Sequence, residues 1–278
     1  DGLLSGTNLE IRRAEGMDGA PAEGLVRLAA VQMEPWIGDV EGNVAACAVA
    51  VERAAKEDAA LVAFPECALT GYCFSDPEEA RAAAVDPGGE ALAPLARAAA
   101  EHGAFVEVGY LQRHGDGLAN VAAILGPEGP VASYRKTHLP FLGVDRFVTP
   151  GDEPFRVHEA AGLRVGLEIC WDASFPEVTR LLALAGADLV LLPTNWPDEA
   201  DIKTGWLPNA RAFENVIYFA AVNRVGTERG YAFHGKSRIC APGGETLVEG
   251  PVDREAILLA DLDPARARTK RIVRRGGE

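Results

Sequence analysis

Between residues 104 and 134 the chain reads as three strands in immediate succession, and this run limits the folds open to it. Residues 104–110, 118–125 and 130–134 are dominated by Val, Ala, Ile, Leu and aromatic side chains. The breaks between them are Gly115-Asp116-Gly117 and Gly126-Pro127-Glu128-Gly129, a composition that turns the chain. Outside this run, strands alternate with helices. The order is strand, helix, strand, helices, three consecutive strands, then strand and helix again. A doubly wound sheet would not place three strands together, and a barrel would need eight equal units. Two sheets packed face to face, with helices outside both, suit the order.

The flanking elements follow from periodicity. Residues 25–33 form a first strand that ends near Gln32, and 39–58 carry alanines and valines at helical spacing. Residues 59–64 are a short continuous apolar run, as in a strand buried on both faces, and stop at Pro65-Glu66. A loop over 67–76 contains Thr70-Gly71-Tyr72. Residues 78–85 and 90–102 are alanine-rich helices. The stretch 137–153 is a loop long enough to imply function. Beyond it come a helix over 177–185, a buried strand over 188–192 ending at Pro193-Thr194-Asn195-Trp196, and a helix over 203–215. Strands follow over 216–223, 236–240, 245–248 and 256–262. The first 24 residues are polar, lack the apolar stretch of a signal peptide and are expected to be a loose, flexible leader. No repeat or linker divides the remainder, so residues 25–278 are expected to be a single domain.

The chemistry centres on Glu168-Ile169-Cys170-Trp171-Asp172-Ala173-Ser174-Phe175-Pro176-Glu177. Upstream, Leu163, Val165, Leu167 and Ile169 alternate with Arg164, Gly166 and Glu168, a strand pattern. Downstream, Ser174 three residues before Glu177 reads as a capping box, with Pro176 in the first turn of a helix. Cys170 thus falls in the bend from strand to helix. The free N–H groups and positive dipole end of that helix are expected to favour the nucleophilic thiolate. For a lone cysteine, burial in a core is the competing reading.

Composition narrows the partners. The 278 residues carry 27 basic and 41 acidic side chains, a formal charge of −14. That argues against nucleic acid and anionic membrane, both of which need basic patches. No apolar run spans a bilayer. Five cysteines, an odd number with no C-x-x-C pair, point to neither a disulfide framework nor a zinc site. A reducing cytoplasm is the expected location, a small molecule the expected partner, and neither a metal nor a cofactor is expected.

Three strand ends carry reactive side chains: Glu66, Lys136 and Cys170. Ends of strands on one side of a sheet are where α/β enzymes gather their chemistry. Together the three fit one reaction: a carboxylate takes the thiol proton, the thiolate attacks a carbonyl or nitrile carbon, and an ammonium stabilises the developing charge. Among five histidines only His138 lies in a strongly patterned segment, where it could act as base or hold the loop.

The motifs Phe64-Pro65-Glu66 with Leu69-Thr70-Gly71-Tyr72, Tyr134-Arg135-Lys136-Thr137-His138-Leu139-Pro140, and Glu168 to Glu177 stand in a telling order. Leu192-Pro193-Thr194-Asn195-Trp196, Ala210-Arg211-Ala212-Phe213-Glu214-Asn215 with Ala221-Val222-Asn223-Arg224-Val225-Gly226, and Gly235-Lys236-Ser237-Arg238-Ile239-Cys240 follow. From about Leu28 to Leu262 the chain resembles the carbon–nitrogen hydrolase (nitrilase) superfamily, most of all its amidase branches. The resemblance implies a four-layer α-β-β-α sandwich that pairs through its outer layers into a homodimer or higher homo-oligomer. It implies Glu66 as general base, Lys136 as stabiliser of the tetrahedral intermediate, Cys170 as nucleophile and the Trp171 N–H as second oxyanion donor. The implied reaction is hydrolysis of a small amide through a thioester, releasing ammonia. N-carbamoyl amidohydrolase and nitrilase activities are the alternatives, and Asp172 after Cys-Trp favours amidase over nitrilase, whose members typically carry Glu there. A non-catalytic scaffold is disfavoured by the intact triad.

Many members of the superfamily carry a second glutamate after the lysine. Here the loop reads Phe141-Leu142-Gly143-Val144-Asp145-Arg146-Phe147, and Asp145, one methylene shorter, is the nearest candidate; pairing with Arg146 is its other reading. Tyr72, Trp171, Asn195 and Trp196 flank strand-end motifs and are candidates for lining a substrate pocket or for packing the core. Arg211 with Glu214, and Asn223-Arg224, read as a structural ion-pair network, and Cys67 as a packing residue.

Overall fold

A computed structural model describes residues 9–270. In chain order its elements are β1 (Glu10–Arg13), β2 (Val26–Gln32), α1 (Val40–Ala55), β3 (Leu61–Ala63), α2 (Pro77–Ala83) and α3 (Ala93–His102). The three consecutive strands are β4 (Phe105–His114), β5 (Gly117–Gly126) and β6 (Gly129–Arg135). Then come β7 (Val157–Ala160), β8 (Leu163–Leu167), α4 (Pro176–Leu184), β9 (Leu189–Thr194), α5 (Asp201–Asn215) and β10 (Tyr218–Asn223). A hairpin of β11 (Val225–Glu228) and β12 (Tyr231–His234) precedes β13 (Arg238–Cys240), β14 (Thr246–Glu249), β15 (Ala256–Leu262) and α6 (Pro264–Arg268).

Two mixed sheets face each other. One has the order β1-β15-β2-β3-β4-β5-β6, the other β14-β13-β10-β9-β8-β7. In β2, Leu28 and Ala30 face the core between the sheets, whereas Ala29 and Val31 pack with Val44, Cys47 and Val51 of α1 and with Leu95 and Ala99 of α3. Both faces of the strand are therefore apolar, as a sheet covered on two sides requires. Across the interior, Leu28, Leu61 and Ile124 share one core with Val165, Leu167 and Leu191, and this core extends to Leu182 of α4 and Ala212 of α5. The layers run helix, sheet, sheet, helix. Among the described residues no helix is long and apolar enough to cross a membrane.

Two expectations are corrected. The segment read as a loose leader contains β1, which adds in parallel to β15 (Glu10 opposite Ala256, Arg13 opposite Leu259). The edge of β15 offers unpaired backbone groups that a polar segment can satisfy without being apolar itself. Residues 1–8 of that segment lie outside the described residues. The second correction concerns the capping box. The cap of α4 is Phe175, no side chain bonds the cap, and Ser174 belongs to a separate single turn over Cys170–Ser174. Pro176 does occupy the first turn. The pattern also missed β7 and the β11–β12 hairpin, both short and partly exposed.

Candidate active site

Glu66 lies just past the end of β3 and is 1 % exposed. Backbone contact with β4 sets its place, since a Cβ on Gly109 would come within 2.6 Å of Pro65 O, 2.7 Å of Cys67 N and 2.9 Å of Glu66 Cα. Only a glycine in β4 allows this approach. Lys136 follows β6 directly, and its N–H bonds Asn120 O of β5 at 2.9 Å. Cys170 opens the turn after β8 with φ of +45°, a strained value for a side chain with a Cβ.

Asp172 locks that turn. Its Oδ2 accepts from Ile169 N at 3.0 Å and from the Tyr134 hydroxyl at 2.7 Å, and its Oδ1 accepts from His138 N at 2.9 Å. His138 Nδ1 is 2.7 Å from the same oxygen, and the ring stacks on Phe175. His138 is thereby tied to Asp172, whose hydrogen bond raises its pKa, and it ties the lysine segment to the cysteine turn. Arg211 Nε and Nη2 both donate to Ala173 O, at 3.0 and 2.8 Å, while Nη1 pairs with Glu214. These residues hold the turn in its strained form.

The buried polar centre joins five side chains. Lys136 Nζ donates to Glu66 Oε1 at 2.7 Å and to Asp145 Oδ2 at 2.6 Å. Asn120 Nδ2 bridges the same two carboxylates, at 2.8 Å to Glu66 Oε1 and 3.0 Å to Asp145 Oδ1. The Tyr72 hydroxyl lies 2.8 Å from Asp145 Oδ2. Asp145 is therefore a partner of Lys136; Arg146 instead donates to Gly143 O and Phe74 O. Gly143 has φ of +51°, and a Cβ there would lie 2.2 Å from the Tyr72 ring, so glycine lets the loop close over the tyrosine. Cys67 is fully buried with its sulfur 3.6 Å from Asn120 Oδ1, in agreement with a packing role.

Two carboxylates share one ammonium here, and the electrostatics follow from that imbalance. Burial, and then the neighbouring Asp145, raise the Glu66 pKa against the opposing pull of Lys136. Burial works against the Lys136 charge, but Glu66 and Asp145 outweigh it and hold the ammonium protonated. Burial, then the Glu66 charge, push the Cys170 thiol up to about 12. Burial beside the Glu66 carboxylate works against the expected resting thiolate and favours the thiol, and α4 itself begins six residues beyond Cys170.

A cavity of about 300 Å³ opens onto Cys170, lined also by Tyr72, Trp171, Asn195, Trp196 and, at its rim, Glu199. All four expected pocket residues line it, and Tyr72 also bonds Asp145. Asn120, Glu199, Gly109 and Glu228 were not foreseen. Glu228 Oε1 accepts from the Tyr72 and Cys73 backbone N–H groups at 2.9 and 2.6 Å while Arg224 pairs with its other oxygen at 2.8 Å. The signal for Asn120 was one amide inside the apolar run Leu118-Ala119-Asn120-Val121-Ala122. Among the described residues no group of three or more His, Cys, Asp or Glu is arranged to hold a metal ion.

Comparison with known proteins agrees with this geometry. The chain is 38% identical over 252 residues to a nitrilase of Pyrococcus abyssi, covering 89% of this chain and 94% of that protein. It is 30% identical to the N-carbamoylputrescine amidase of Solanum lycopersicum, covering 89% of each. Its fold is similar to that of a Glu-to-Gln variant of the amidase from Nesterenkonia sp. AN1, which carries the acetamide moiety of fluoroacetamide on its active-site cysteine. The TM-score is 0.77 at 28% identity, over 91% of this chain and 97% of that one. The carbon-nitrogen hydrolase profile matches residues 27–272, and with this sandwich and this cysteine pocket the chain belongs to the carbon–nitrogen hydrolase family.

Proposed function

We propose that the protein hydrolyses the C–N bond of a small amide through a thioester on Cys170. The observation that carries this reading is the second oxygen of Glu66. Oε1 is bonded by Lys136 and Asn120, whereas Oε2 is buried without a partner among the described residues. It is the oxygen that can take the Cys170 proton. The sulfur then bonds to the carbonyl carbon and the C=O π pair moves to oxygen. Two of the three Lys136 protons face carboxylates, leaving the third for that oxyanion, with the Trp171 N–H as second donor. Collapse restores C=O, breaks C–N and sends the Glu66 proton to nitrogen, releasing ammonia. Water then repeats the sequence: Glu66 takes its proton, the thioester C–S bond breaks, and the sulfur recovers the proton. Asp145 and Asn120 orient Lys136 and Glu66 throughout. The size of the cavity, at the low end for ligand sites, suits a short acyl chain.

Glu66→Gln tests the reading. Losing a general base typically costs ~10²–10⁴-fold, so both half-reactions slow. With a reactive acyl donor, intact-protein mass spectrometry should show the acyl mass on the Cys170 peptide, and Cys170→Ala should show neither adduct nor turnover. An adduct on Cys67 or Cys73 would refute the assignment.

A second reading, hydrolysis of an N-carbamoyl amine, is favoured by Glu199. A carboxylate at the rim of an otherwise apolar cavity can pair with a distal ammonium, and the tomato relative is an N-carbamoylputrescine amidase. Carbon dioxide release beside ammonia distinguishes it. We further propose one catalytic domain, residues 25–278 joined by the β1 strand, and a homodimer or larger homo-oligomer formed through the α4 and α5 layer. Leu181 and Leu184 of α4 and Trp206 and Phe213 of α5 are exposed by 50%, 74%, 76% and 67%. Sedimentation as a monomer at micromolar concentration would count against assembly. Five free, buried cysteines support a cytoplasmic location.

A further inference from the structure

The Asn195 side chain is 2 % exposed, lines the cavity beside Cys170 and is half satisfied. Its Nδ2 donates to the backbone oxygen of Glu66 at 3.0 Å. That bond fixes the orientation of the amide, because the group facing a carbonyl must be NH₂. Its Oδ1 is consequently an acceptor, buried and without a partner among the described residues. A buried acceptor left unbonded is destabilising, and such groups are uncommon away from functional sites. Here a second acceptor in the same condition, Glu66 Oε2, belongs to the residue that Asn195 holds.

We propose that Asn195 Oδ1 accepts a hydrogen bond from the N–H of the substrate's leaving nitrogen, and so makes the enzyme selective for amides over esters. The inference rests on the amidase reading above and sharpens it. In the tetrahedral intermediate the leaving nitrogen must turn its lone pair toward the proton carried by Glu66. An acceptor anchored to the Glu66 backbone fixes one N–H of that nitrogen and thereby aims the lone pair. An ester carries no N–H, so it gains nothing from Oδ1 and leaves the acceptor unbonded. Sites built to bond a substrate N–H discriminate for this reason against analogues that lack it.

The test compares propionamide with methyl propionate in the wild type and Asn195→Ala. The expected result is that the amide-to-ester ratio of kcat/KM falls about tenfold, the equivalent of one hydrogen bond of this kind. If Asn195 served only to hold the Glu66 backbone, both substrates would lose rate together, because Glu66 deprotonates the thiol for both. An unchanged ratio would overturn the proposal. Binding supplies a second measurement that does not depend on turnover. Cys170→Ala should prefer propionamide over the ester about tenfold, and Cys170→Ala/Asn195→Ala should lose the preference. No preference in the single variant would again overturn it. Failure of the wild type to release ammonia from any short amide would instead overturn the amidase reading on which this inference stands.

Discussion

Gly109→Ala should disable the enzyme while changing no side chain that touches a substrate. The added Cβ would sit 2.6 Å from Pro65 O, 2.7 Å from Cys67 N and 2.9 Å from Glu66 Cα. Ordinary contact begins near 3.4 Å, so the mismatch is about 0.5–0.8 Å and falls entirely on backbone atoms. No flexible side chain is available to absorb it. Either β4 or the Glu66 segment must move, and in both cases the carboxylate shifts against Lys136, Asn120 and the thiol. Overpacking of this kind costs ~1–3 kcal/mol of stability. A displacement approaching 1 Å in a reacting group costs ~10²-fold in rate. Gly126→Ala is the control, since its nearest neighbours are Val131 Cγ2 at 2.9 Å and the Phe105 ring at 3.0 Å, both side chains remote from Glu66. Ammonia release from a short amide, beside thermal unfolding of both variants, reads the two effects. The expectation is a loss of stability in both, smaller in Gly126→Ala where side chains can yield, and loss of kcat/KM in Gly109→Ala alone. A Gly109→Ala enzyme with wild-type kcat/KM would show that β4 does not set the position of the proposed base.

Two further predictions concern charge. Asp145 helps to raise the Glu66 pKa, so Asp145→Asn should move the acidic limb of the kcat/KM profile to lower pH and, by weakening the base, reduce the plateau by up to ~10²-fold. An acidic limb that moves to higher pH would contradict the two-carboxylate arrangement. Glu168 is fully buried, bonded through both oxygens to the Thr179 hydroxyl at 3.0 and 3.1 Å, and its pKa is pushed up to about 8 by burial and then by Asp172. The folded chain therefore holds this proton more tightly than the unfolded chain, whose carboxyl titrates near 4.5. The stability linked to it is full below that range and is lost as pH rises to about 8. Glu168→Gln should remove this slope from denaturant midpoints between pH 5 and 8, and an equally steep slope in the variant would assign it to other groups.

The sandwich was readable from residue order because binary pattern and turn chemistry are local. The run from β4 to β6, the doubly buried pattern of β3 and the proline that opens α4 are all properties of neighbouring residues. Glu66, Lys136 and Cys170 could be singled out as candidates for the same reason, each near the end of a patterned strand. Long-range partners were not. For Asp145, sequence left two readings open, a place beside Lys136 or a pair with Arg146; only the folding of 137–153 over the sheet brings it to Lys136 and Asn120. The protonation of Cys170 also depended on the fold. Sequence placed a helix start nearby, but a separate turn intervenes before α4, and burial beside Glu66 favours the thiol. The strand β1 shows the same limit: a polar segment becomes ordered because the edge of β15, more than 240 residues later, needs a partner. Local sequence determines which groups can react. Desolvation and contacts between distant segments determine their charge, and those exist only once the chain has folded.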